Sequence, residues 1–296
     1  MPDVSANYRG ILAMIGASAC FSANDAATKL AAKWLPPSEI VAIRGLFTFL
    51  FAFMIVAARR ELSQVHYITD RVLLVRALME SIAGLLLVSS LALMPIANVI
   101  AILLSQPFLL AIIAVLLFKE AVGVRRWSAV VIGFVGVLLI VKPVAGAFDP
   151  TSLLAMGAAL FTLTRDLLTR QIGKEVPTTV ITLATAIAGL VVGALGSIAG
   201  KWVVPDAFSV FIVALSGAFI VLAYIFIVIA FRNTEVSVVA PFRYTIVVFA
   251  VAFGFFLFAE IPDSLSFTGI GLIVGAGLYM LHREAMQRRP KGASPP

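Results

Sequence analysis

The sequence has few cysteines, few histidines and few charged residues for its length, and each shortage removes a class of function. Cys20 is the single cysteine, so the chain can form no internal disulfide and no thiolate metal cluster. The two histidines, His66 and His282, are predicted to lie in a loop and at a helix end, away from the apolar part of any segment. The sequence therefore predicts no metal site, no cofactor and no enzymatic activity.

Charged residues are unusually few in this sequence. Only 12% of the residues are charged, against about 25% in soluble proteins, while 61% are hydrophobic and the mean hydropathy is +1.09. The net charge of +7 comes from basic residues that stand singly or in pairs between apolar runs. They form no aromatic-interleaved patch of the kind that binds nucleic acid. These features predict a membrane protein with no nucleic-acid partner.

Apolar runs bounded by charge, proline or glycine recur along the whole sequence. Most approach the roughly 20 residues that a helix needs to cross a bilayer, and they are too long for the strands of a membrane barrel. Because backbone groups in hydrocarbon must be satisfied within the segment, helices are predicted. The sequence predicts an all-α polytopic membrane protein with ten transmembrane helices, near residues 9–33, 38–57, 72–93, 96–118, 127–142, 152–170, 178–200, 207–230, 236–259 and 264–282.

Basic residues are divided unequally between the loops of this arrangement. With the N-terminus in the cytoplasm, the predicted inner segments hold 14 lysines and arginines, and the predicted outer loops hold 3, namely Lys33, Lys142 and Lys201. Cytoplasmic loops of membrane proteins carry such an excess of positive charge. Both termini are therefore predicted to be cytoplasmic.

The two halves of the chain share sequence features at a nearly constant offset. N24-D-A-A-T-K29 aligns with R165-D-L-L-T-R170 at an offset of 141, and L117-F-K-E120 aligns with L257-F-A-E260 at an offset of 140. A half with five helices places its second copy upside down in the membrane, which is the inverted-repeat plan of many secondary transporters. We predict two inverted five-helix repeats, 9–142 and 152–282, a cytoplasmic tail over 283–296, and a binding site between the halves.

These features resemble the EamA family of the drug/metabolite transporter superfamily. The resemblance extends from Gly10 to Glu284 and is carried by the ten-helix duplication, by P107-F-L-L-A-I-I-A-V-L-L-F-K-E120 and V239-A-P-F-R-Y-T-I-V-V-F-A-V-A-F-G-F-F-L-F-A-E260, and by the closing helix G269-I-G-L-I-V-G-A-G277. It implies a central cavity formed by the first four helices of each repeat. The helices over 127–142 and 264–282 are then peripheral, and Gly275→Leu is expected to harm folding by blocking close helix approach.

The same resemblance supplies the expected function. It implies a secondary transporter that exports small polar metabolites, most notably amino acids including aromatic ones, by alternating access. The alternative is uptake of a vitamin or nucleotide-like compound such as riboflavin or S-adenosylmethionine. The expected partners are a small-molecule substrate and the lipid bilayer of a bacterial inner membrane, with monomer and oligomer both left open. Glu120 and Glu260, which end the repeated motif, are interpreted as structural residues that pair with a nearby arginine or cap backbone.

Polar residues on the first predicted helix are the first site candidates. Ionisable groups inside spans cost about 2.5 to 3.5 kcal/mol at the bilayer centre and usually face the bundle interior. Ser22, Asn24 and Asp25 lie in the middle of this segment, and Lys29 follows Asp25 by one helical turn. Two interpretations stay open: an internal Asp25–Lys29 ion pair, or a stripe that lines the cavity and lets Asp25 bind a coupled proton.

The third and eighth predicted helices add three candidates. Arg76 and Glu80 are spaced one turn apart, and Tyr224 can offer a hydroxyl to the cavity. Arg76 either binds substrate or extends to the membrane interface. Glu80 is predicted to lie deeper and to bind the ammonium group of an amino acid. Arg44 is interpreted as structural, through a pair with Glu39 or Asp25.

Two predicted helices carry a proline beside polar residues. Ser105 and Gln106 precede Pro107, and Arg243 and Tyr244 follow Pro241. A proline removes one backbone hydrogen bond from a helix, and broken helices are typical of transporter sites. We predict hinges at both prolines, with the carboxylate of the substrate bound by Arg243 and assisted by Ser105 and Tyr244.

Two other classes of protein are weighed against a carrier. G16-A-S18 resembles the nucleophile region of intramembrane serine proteases, and Asp25 and Asp166 resemble an aspartyl pair. The first lacks a histidine base and the second lacks glycine-flanked aspartates. A channel is disfavoured because the sequence has no ring of like charges and no filter-like loop.

Overall fold

The structure, a computed structural model, describes residues 4–110, 112, 124–142, 149–169, 171–173, 175–198, 202–232 and 236–288. Several parts of the sequence-based predictions fall outside these residues: residues 113–120 at the end of the predicted fourth helix with Glu120, then Arg170, and the 289–296 portion of the predicted tail. Lys201 of the predicted outer loops falls outside them as well.

The described residues are helical and contain no strand, as the sequence predicts. Short 3-10 helices cover Leu62–Thr69 and Ala240–Tyr244. The α-helices are α1 (Val4–Ala31), α2 (Pro37–Ala58), α3 (Arg71–Leu93), α4 (Ile96–Leu103), α5 (Val124–Val141), α6 (Ser152–Thr169), α7 (Thr178–Ile198), α8 (Ala207–Arg232), α9 (Val236–Val239), α10 (Thr245–Phe258) and α11 (Ser264–Arg288).

Helix length and composition identify a polytopic membrane protein. Within the described ranges, 7 helical stretches are long and apolar enough to cross a membrane, and the shorter apolar helices Ile96–Leu110 and Trp127–Val141 accompany them. α1 has 28 residues and carries Asp25 and Lys29 in its second half. The predicted all-helical membrane architecture is confirmed at this level.

Local sequence explains several helix ends. Pro37 stands in the first turn of α2, where a missing backbone N–H is not needed. The Asp70 carboxylate caps α3 by accepting hydrogen bonds from the backbone N–H groups of Val72 and Leu73, at 2.9 and 3.0 Å. Ala259 ends α10 in the left-handed conformation, with φ of 54°.

The helices pack in pairs that are unchanged when the two halves exchange places. α1 packs against α8 and α3 packs against α6, while α2 contacts α7 and α5 contacts α11. α1 also meets α10, and α6 also meets α4. The largest apolar core lies between α4, α5, α10 and α11 and includes Ile96, Ile102, Val137, Ile140 and Ile273.

Glycines permit two of these close pairings. A Cβ atom at Gly193 would lie 2.3 Å from the backbone nitrogen of Ala42 on α2. On the α5–α11 pair, a Cβ at Gly136 would lie 2.7 Å from the carbonyl oxygen of Gly269. A Cβ at Gly275 meets nothing within 4 Å, because this residue faces outward. The structure thus contradicts the expectation that Gly275→Leu blocks helix packing. On α11, the glycine that permits close helix approach is Gly269.

The two predicted proline breaks coincide with interruptions of helical structure. α4 stops at Leu103, a turn covers Leu104 and Ser105, and the helix resumes at Gln106, just before Pro107. Pro241 lies in the 3-10 helix that separates α9 from α10. The interruptions place the polar residues around each proline at the ends of helical segments. Motion about them remains a prediction.

Candidate functional site

Two cavities of about 250 Å³ each lie among the helices. Cavity 1 is bounded by α2, α3, α7 and α8 together with the end of α6, and cavity 2 is bounded by α4, α6, α11 and the 3-10 helix Ala240–Tyr244. The polar residues of cavity 1 are Arg44, Thr48, Arg76, Glu80, Ser81, Thr169, Thr178, Thr182, Thr185 and Tyr224. Those of cavity 2 are Gln106, Asp166, Arg243 and Tyr244.

Glu80 is the electrostatic centre of cavity 1. Its Oε2 atom accepts a charge-assisted hydrogen bond from Nη1 of Arg165 and lies 3.6 Å from Nη2 of Arg76. Arg165 also pairs with Asp166 at 2.7 Å. Both contacts of Glu80 thus use the same oxygen, and Oε1 has no hydrogen-bond or ion-pair partner among the residues described.

Arg76 is held inside the bundle. Its side chain donates hydrogen bonds to the hydroxyl of Thr169, at 3.2 Å, and to that of Thr185. Arg76 is buried, with 9% of its surface exposed. The threonines of α6 and α7 thus fix the guanidinium beside Glu80 within the bundle, an arrangement that favours the cavity interpretation over extension to the membrane interface.

Arg44 differs from the other arginines of cavity 1. It interacts electrostatically with Asp25 and Glu80, yet no described carboxylate lies within salt-bridge distance of its guanidinium. No described acceptor hydrogen-bonds it either. Gly84 makes room for this group, since a Cβ there would lie 3.4 Å from an Nη atom of Arg44. Arg44 therefore presents an unpaired cation to the cavity.

The first helix does not line either cavity. The amide nitrogen of Asn24 donates to Asp25 at 2.9 Å, and the Ser22 hydroxyl donates to the backbone carbonyl of Ile246 at 3.0 Å. Ser22, Asn24 and Asp25 are buried in helix contacts, and none of them borders cavity 1 or cavity 2. The interpretation of these three residues as cavity-lining is not supported by this arrangement. Asp25 can still influence cavity 1 through the field it exerts on Arg44.

The Asp25–Lys29 ion pair, the other interpretation open from the sequence, does not form, because Lys29 pairs with Glu260 instead. Nζ of Lys29 lies 2.7 Å from Oε1 of Glu260 and donates to the carbonyl of Met94. Oε2 of Glu260 accepts a hydrogen bond from the backbone N–H of Ile96, at 3.1 Å. A long lysine side chain at the end of α1 reaches the end of α10, whereas Asp25 is engaged by its neighbour. Glu260 is structural as interpreted, with a lysine in place of the expected arginine.

Cavity 2 combines an apolar wall with a few polar groups. Its apolar residues include Leu103, Leu104, Leu110, Leu163, Leu167, Met280 and Leu281. Ser105 does not belong to it, since its hydroxyl donates to the carbonyl of Ile102 at 2.6 Å and the residue borders a smaller apolar pocket with Phe108. Pro107 lines cavity 2, while Pro241 is not among its lining residues.

The structure thus places six of the predicted substrate-binding residues in two separate cavities and leaves Ser22, Asn24, Asp25 and Ser105 outside both. Arg76, Glu80 and Tyr224 meet in cavity 1, and Gln106, Arg243 and Tyr244 meet in cavity 2. Glu80 and Arg243 are not brought together. Sequence reasoning missed Arg44 as a site residue, although a charge well inside an apolar span was the available signal. In the part of the chain described, no three His, Cys, Asp or Glu side chains form a group that could hold a metal.

Apolar helices of membrane-spanning length, charged residues held between them, and cavities inside the bundle define a polytopic helical membrane protein built to receive a small molecule. The sequence profile of the EamA-like transporter family matches residues 8–142 and 150–281. The chain belongs to this family of the drug/metabolite transporter superfamily and is a membrane transporter.

Curated relatives resemble the chain along most of its length. An S-adenosylmethionine uptake transporter of Rickettsia bellii is 25% identical over 271 residues, covering 89% of this chain and 90% of the relative. A riboflavin transporter of Rhizobium johnstonii is 28% identical over 288 residues, covering 95% and 93%. The pseudopaline exporter CntI of Pseudomonas aeruginosa is 26% identical over 290 residues, covering 96% and 97%.

A solved crystal structure shares the fold. It superposes with a TM-score of 0.62 at 19% sequence identity and covers 93% of this chain and 98% of the other. At this identity the similarity establishes the architecture alone.

Proposed function

We propose that this transporter carries a small metabolite with an α-amino-acid head group, and that cavity 1 binds this head group. The carrying observation is that cavity 1 holds two opposite groups with free binding capacity: the guanidinium of Arg44, which has no described salt-bridge partner, and Oε1 of Glu80, the oxygen that Arg76 and Arg165 leave open. A zwitterion brings one carboxylate for the first and one ammonium group for the second. Because both protein groups are largely shielded from water, such pairing is strongly favoured over leaving them empty.

The proposal revises one half of the sequence-based assignment. Glu80 keeps its role as the acceptor for the ammonium group. The residue proposed to bind the substrate carboxylate is now Arg44 instead of Arg243. Arg76 and Arg165 hold Oε2 of Glu80 and thereby orient the carboxylate, so they act as positioning residues. Tyr224, which packs edge-to-face on Phe21 with ring centroids 5.8 Å apart, can donate its hydroxyl to the substrate.

The substrate class accommodates the first expectation drawn from the sequence and one of the two compounds of the alternative. Amino acids, including aromatic ones, carry the head group, and so does S-adenosylmethionine, the compound named for the Rickettsia relatives. Export remains a prediction from the family resemblance. The names of the relatives include both uptake and export.

Uptake of a riboflavin-like compound is the second candidate. It is favoured by the hydroxyl groups of cavity 1, which can hydrogen-bond a polyol chain, and by the riboflavin transporter relatives. The threonines Thr48, Thr169, Thr178, Thr182 and Thr185 supply most of these hydroxyls. This candidate does not use the charges of Arg44 and Glu80, which makes the two proposals separable.

The proposed carrier has ten spans in two inverted repeats and has both termini in the cytoplasm of a bacterial cell. The exchange-symmetric helix pairing supports the repeat, since α1–α8 and α3–α6 are equivalent contacts in such a plan. Interrupted helices at Pro107 and Pro241 support hinges, because helix breaks absorb the dihedral changes of a rocking motion.

The test is counterflow in proteoliposomes with a panel of amino acids, S-adenosylmethionine and riboflavin as competitors. Arg44→Gln and Glu80→Gln should each weaken competition by a zwitterion about ten-fold or more, because a charge-assisted hydrogen bond contributes about 1.5–3 kcal/mol. Arg71→Gln is the matched control, since Arg71 is exposed and lies outside both cavities.

The head-group assignment also predicts ligand selectivity. Decarboxylated amines should compete poorly with wild-type protein, and Arg44→Gln should remove the preference for the carboxylate. Saturable riboflavin flux that is insensitive to Arg44→Gln would favour the second candidate. Linear flux without counterflow for every compound would contradict a carrier altogether.

A further inference from the structure

Cavity 2 is a separate space with a different chemical character from cavity 1. It lies between α4, α6, α11 and the 3-10 helix and is mainly lined by leucine and methionine side chains. The helix interruption before Pro107 opens one side of it, and the 3-10 helix around Arg243 forms another. No described residue borders both cavities, although Asp166 of cavity 2 and Glu80 of cavity 1 both pair with Arg165. A ligand in cavity 2 would therefore contact a different set of described residues from a ligand in cavity 1.

Arg243 is the cation of cavity 2, and the side chains that the structure describes supply no counter-charge for it. Asp166 also lines this cavity, but its carboxylate is paired with Arg165 at 2.7 Å. Among the carboxylates whose side chains the structure describes, none lies within salt-bridge distance of Arg243, which is an exposed residue at the border of the cavity. An arginine that faces an apolar cavity without a carboxylate partner is a binding group for an anion brought from outside.

Two neutral donors stand near this arginine. The Tyr244 side chain packs against Gly277, where an added Cβ would lie 1.8 Å from the phenolic oxygen. Gly277 thereby leaves room for the Tyr244 ring, and any larger residue at this position of α11 would force the ring to move. Tyr244 and the Gln106 amide both line cavity 2. Each can donate a hydrogen bond to the oxygens of a bound anion.

We propose that cavity 2 is a second binding site, which takes an amphipathic monoanion with its acidic group on Arg243 and its apolar body against the leucines. A polyanion is disfavoured because the cavity offers one unpaired cation and because Asp166 lies in the same wall. The apolar lining disfavours small hydrophilic anions, which would lose hydration without gaining contacts. This inference does not rest on the function proposed for cavity 1.

The probe is 3-phenylpropionate, titrated calorimetrically into the purified full-length protein in phosphatidylcholine nanodiscs. Its neutral isostere 3-phenylpropionamide is the ligand control. Arg243→Gln should weaken binding of the acid about ten-fold or more, whereas the amide should bind poorly to both proteins. Arg243→Lys should retain part of the affinity, because it preserves the charge but loses the planar fork.

Two further variants serve as controls for misfolding and for binding in cavity 1. Leu167→Trp should abolish acid binding by filling the cavity while every charge remains, and this result is informative even if Arg243→Gln folds poorly. Arg44→Gln should leave the affinity for 3-phenylpropionate within about two-fold while it weakens zwitterion binding in cavity 1. Failure of the cavity 1 proposal would therefore leave this test unaffected.

The anion can come from a soluble acid or from a lipid head group with its acyl chain. Nanodiscs that contain phosphatidylglycerol distinguish these sources, because a bound lipid competes with the probe. Weaker probe binding in such discs identifies lipid, and equal binding identifies a soluble acid. Equal affinity of wild-type protein for acid and amide, or unchanged acid binding in both Arg243→Gln and Leu167→Trp, would overturn the proposal.

Discussion

The two ends of the helix bundle differ in whether their charged side chains join helices or border a cavity. At one end, Lys29 pairs with Glu260, Lys142 pairs with Asp263, and Oε1 of the buried Glu39 accepts a hydrogen bond from the backbone of Val203, while its Oε2 has no described partner. We call this the Glu260 end. Nearer the other end, where α6 finishes and α3 and α7 begin, Glu80 pairs with Arg76 and Arg165, but Arg243 and Oε1 of Glu80 border cavities and have no partner among the described side chains. Arg44, deeper in cavity 1, is also without one.

This difference separates charged residues that hold helices together from charged residues that border a cavity. Glu260 joins the ends of α1, α4 and α10 by binding both Lys29 and the N–H of Ile96, so its contacts hold helices together. Arg44 and Arg243 border cavities instead and have no salt-bridge partner among the described side chains. A charge inside a membrane protein costs free energy, and an unpaired one persists where a ligand can compensate it. This contrast supports the proposals that place the binding sites away from the Glu260 end.

The largest expected effect concerns which end faces the cytoplasm. In a Cys20→Ala background, Val204→Cys marks the Glu260 end and Ser63→Cys marks the opposite end. Both native residues are exposed. The asymmetry of basic residues predicts that an impermeant thiol reagent added to intact cells labels position 204 and not position 63. Labelling of position 63 alone would invert the orientation and place the cavities on the external side.

The sequence predicts the fold class well because the relevant forces are local. Apolar runs of spanning length can only be helices, and Pro107 and Pro241 interrupt hydrogen bonding wherever the chain goes. The seven apolar stretches and both helix interruptions follow from these rules. Such features need no knowledge of which helices touch.

Partner choice could not be predicted, because it depends on contacts between the halves. Glu80 and Arg76 are one turn apart in sequence, but Arg165, from the other half, supplies the closer contact. Lys29 prefers Glu260 over the nearer Asp25 for the same reason. Arg243 and Glu80 both looked functional, yet no sequence pattern shows that they border different cavities.

The second largest effect should come from separating the ion pair at the Glu260 end. The side chains of Lys29 and Glu260 are only 11% and 18% exposed. Removing one partner of a buried pair costs about 3–5 kcal/mol, because the remaining charge is left uncompensated. Lys29→Met and Glu260→Gln should therefore each lower the unfolding free energy measured by denaturant titration in detergent.

A double-mutant cycle sharpens this result. Lys29→Met combined with Glu260→Gln should be less destabilised than the sum of the single variants, since no unpaired charge remains. Lys142→Met is the matched control at the same end, and its pair is more exposed, so its cost should stay below about 1 kcal/mol. Additive single effects would show that Lys29 and Glu260 are energetically independent.

A smaller effect is expected at the glycine contact between α2 and α7. Gly193→Ala places a Cβ 2.3 Å from the backbone nitrogen of Ala42. Because backbone atoms cannot yield as a flexible side chain can, the helices must separate, at a cost of about 1–3 kcal/mol. Gly275→Ala, where a Cβ meets nothing within 4 Å, should change the midpoint of thermal unfolding little. Equal destabilisation by both variants would contradict the assigned helix contacts.

The smallest effect concerns the exposed pair at the Glu260 end and depends on pH. Asp263 lies 2.5 Å from Nζ of Lys142 and caps α11 by accepting hydrogen bonds from the N–H groups of Leu265 and Ser266. The Lys142 hydrogen bond, followed by that of Ser266, lowers the pKa of Asp263 from 3.8 to about 2. Since the folded pKa lies below the ordinary value, the contribution to stability is fully present above about pH 4 to 5 and is lost as the pH falls toward 2.

Asp263→Asn should therefore be less stable than the wild type by a constant amount between pH 5 and pH 8, and this difference should shrink on acidification toward pH 3 in non-ionic detergent. The amount should be small, because the Asp263 side chain is 51% exposed and water screens the pair. Lys142→Gln separates the two contributions, as it removes the ion pair but leaves both backbone contacts of the α11 cap. It should retain a weaker form of the same pH dependence. A stability difference between Asp263→Asn and the wild type that grows below pH 4 would mean that the carboxylate is not stabilised in its charged form, and that Lys142 does not anchor this end of the bundle.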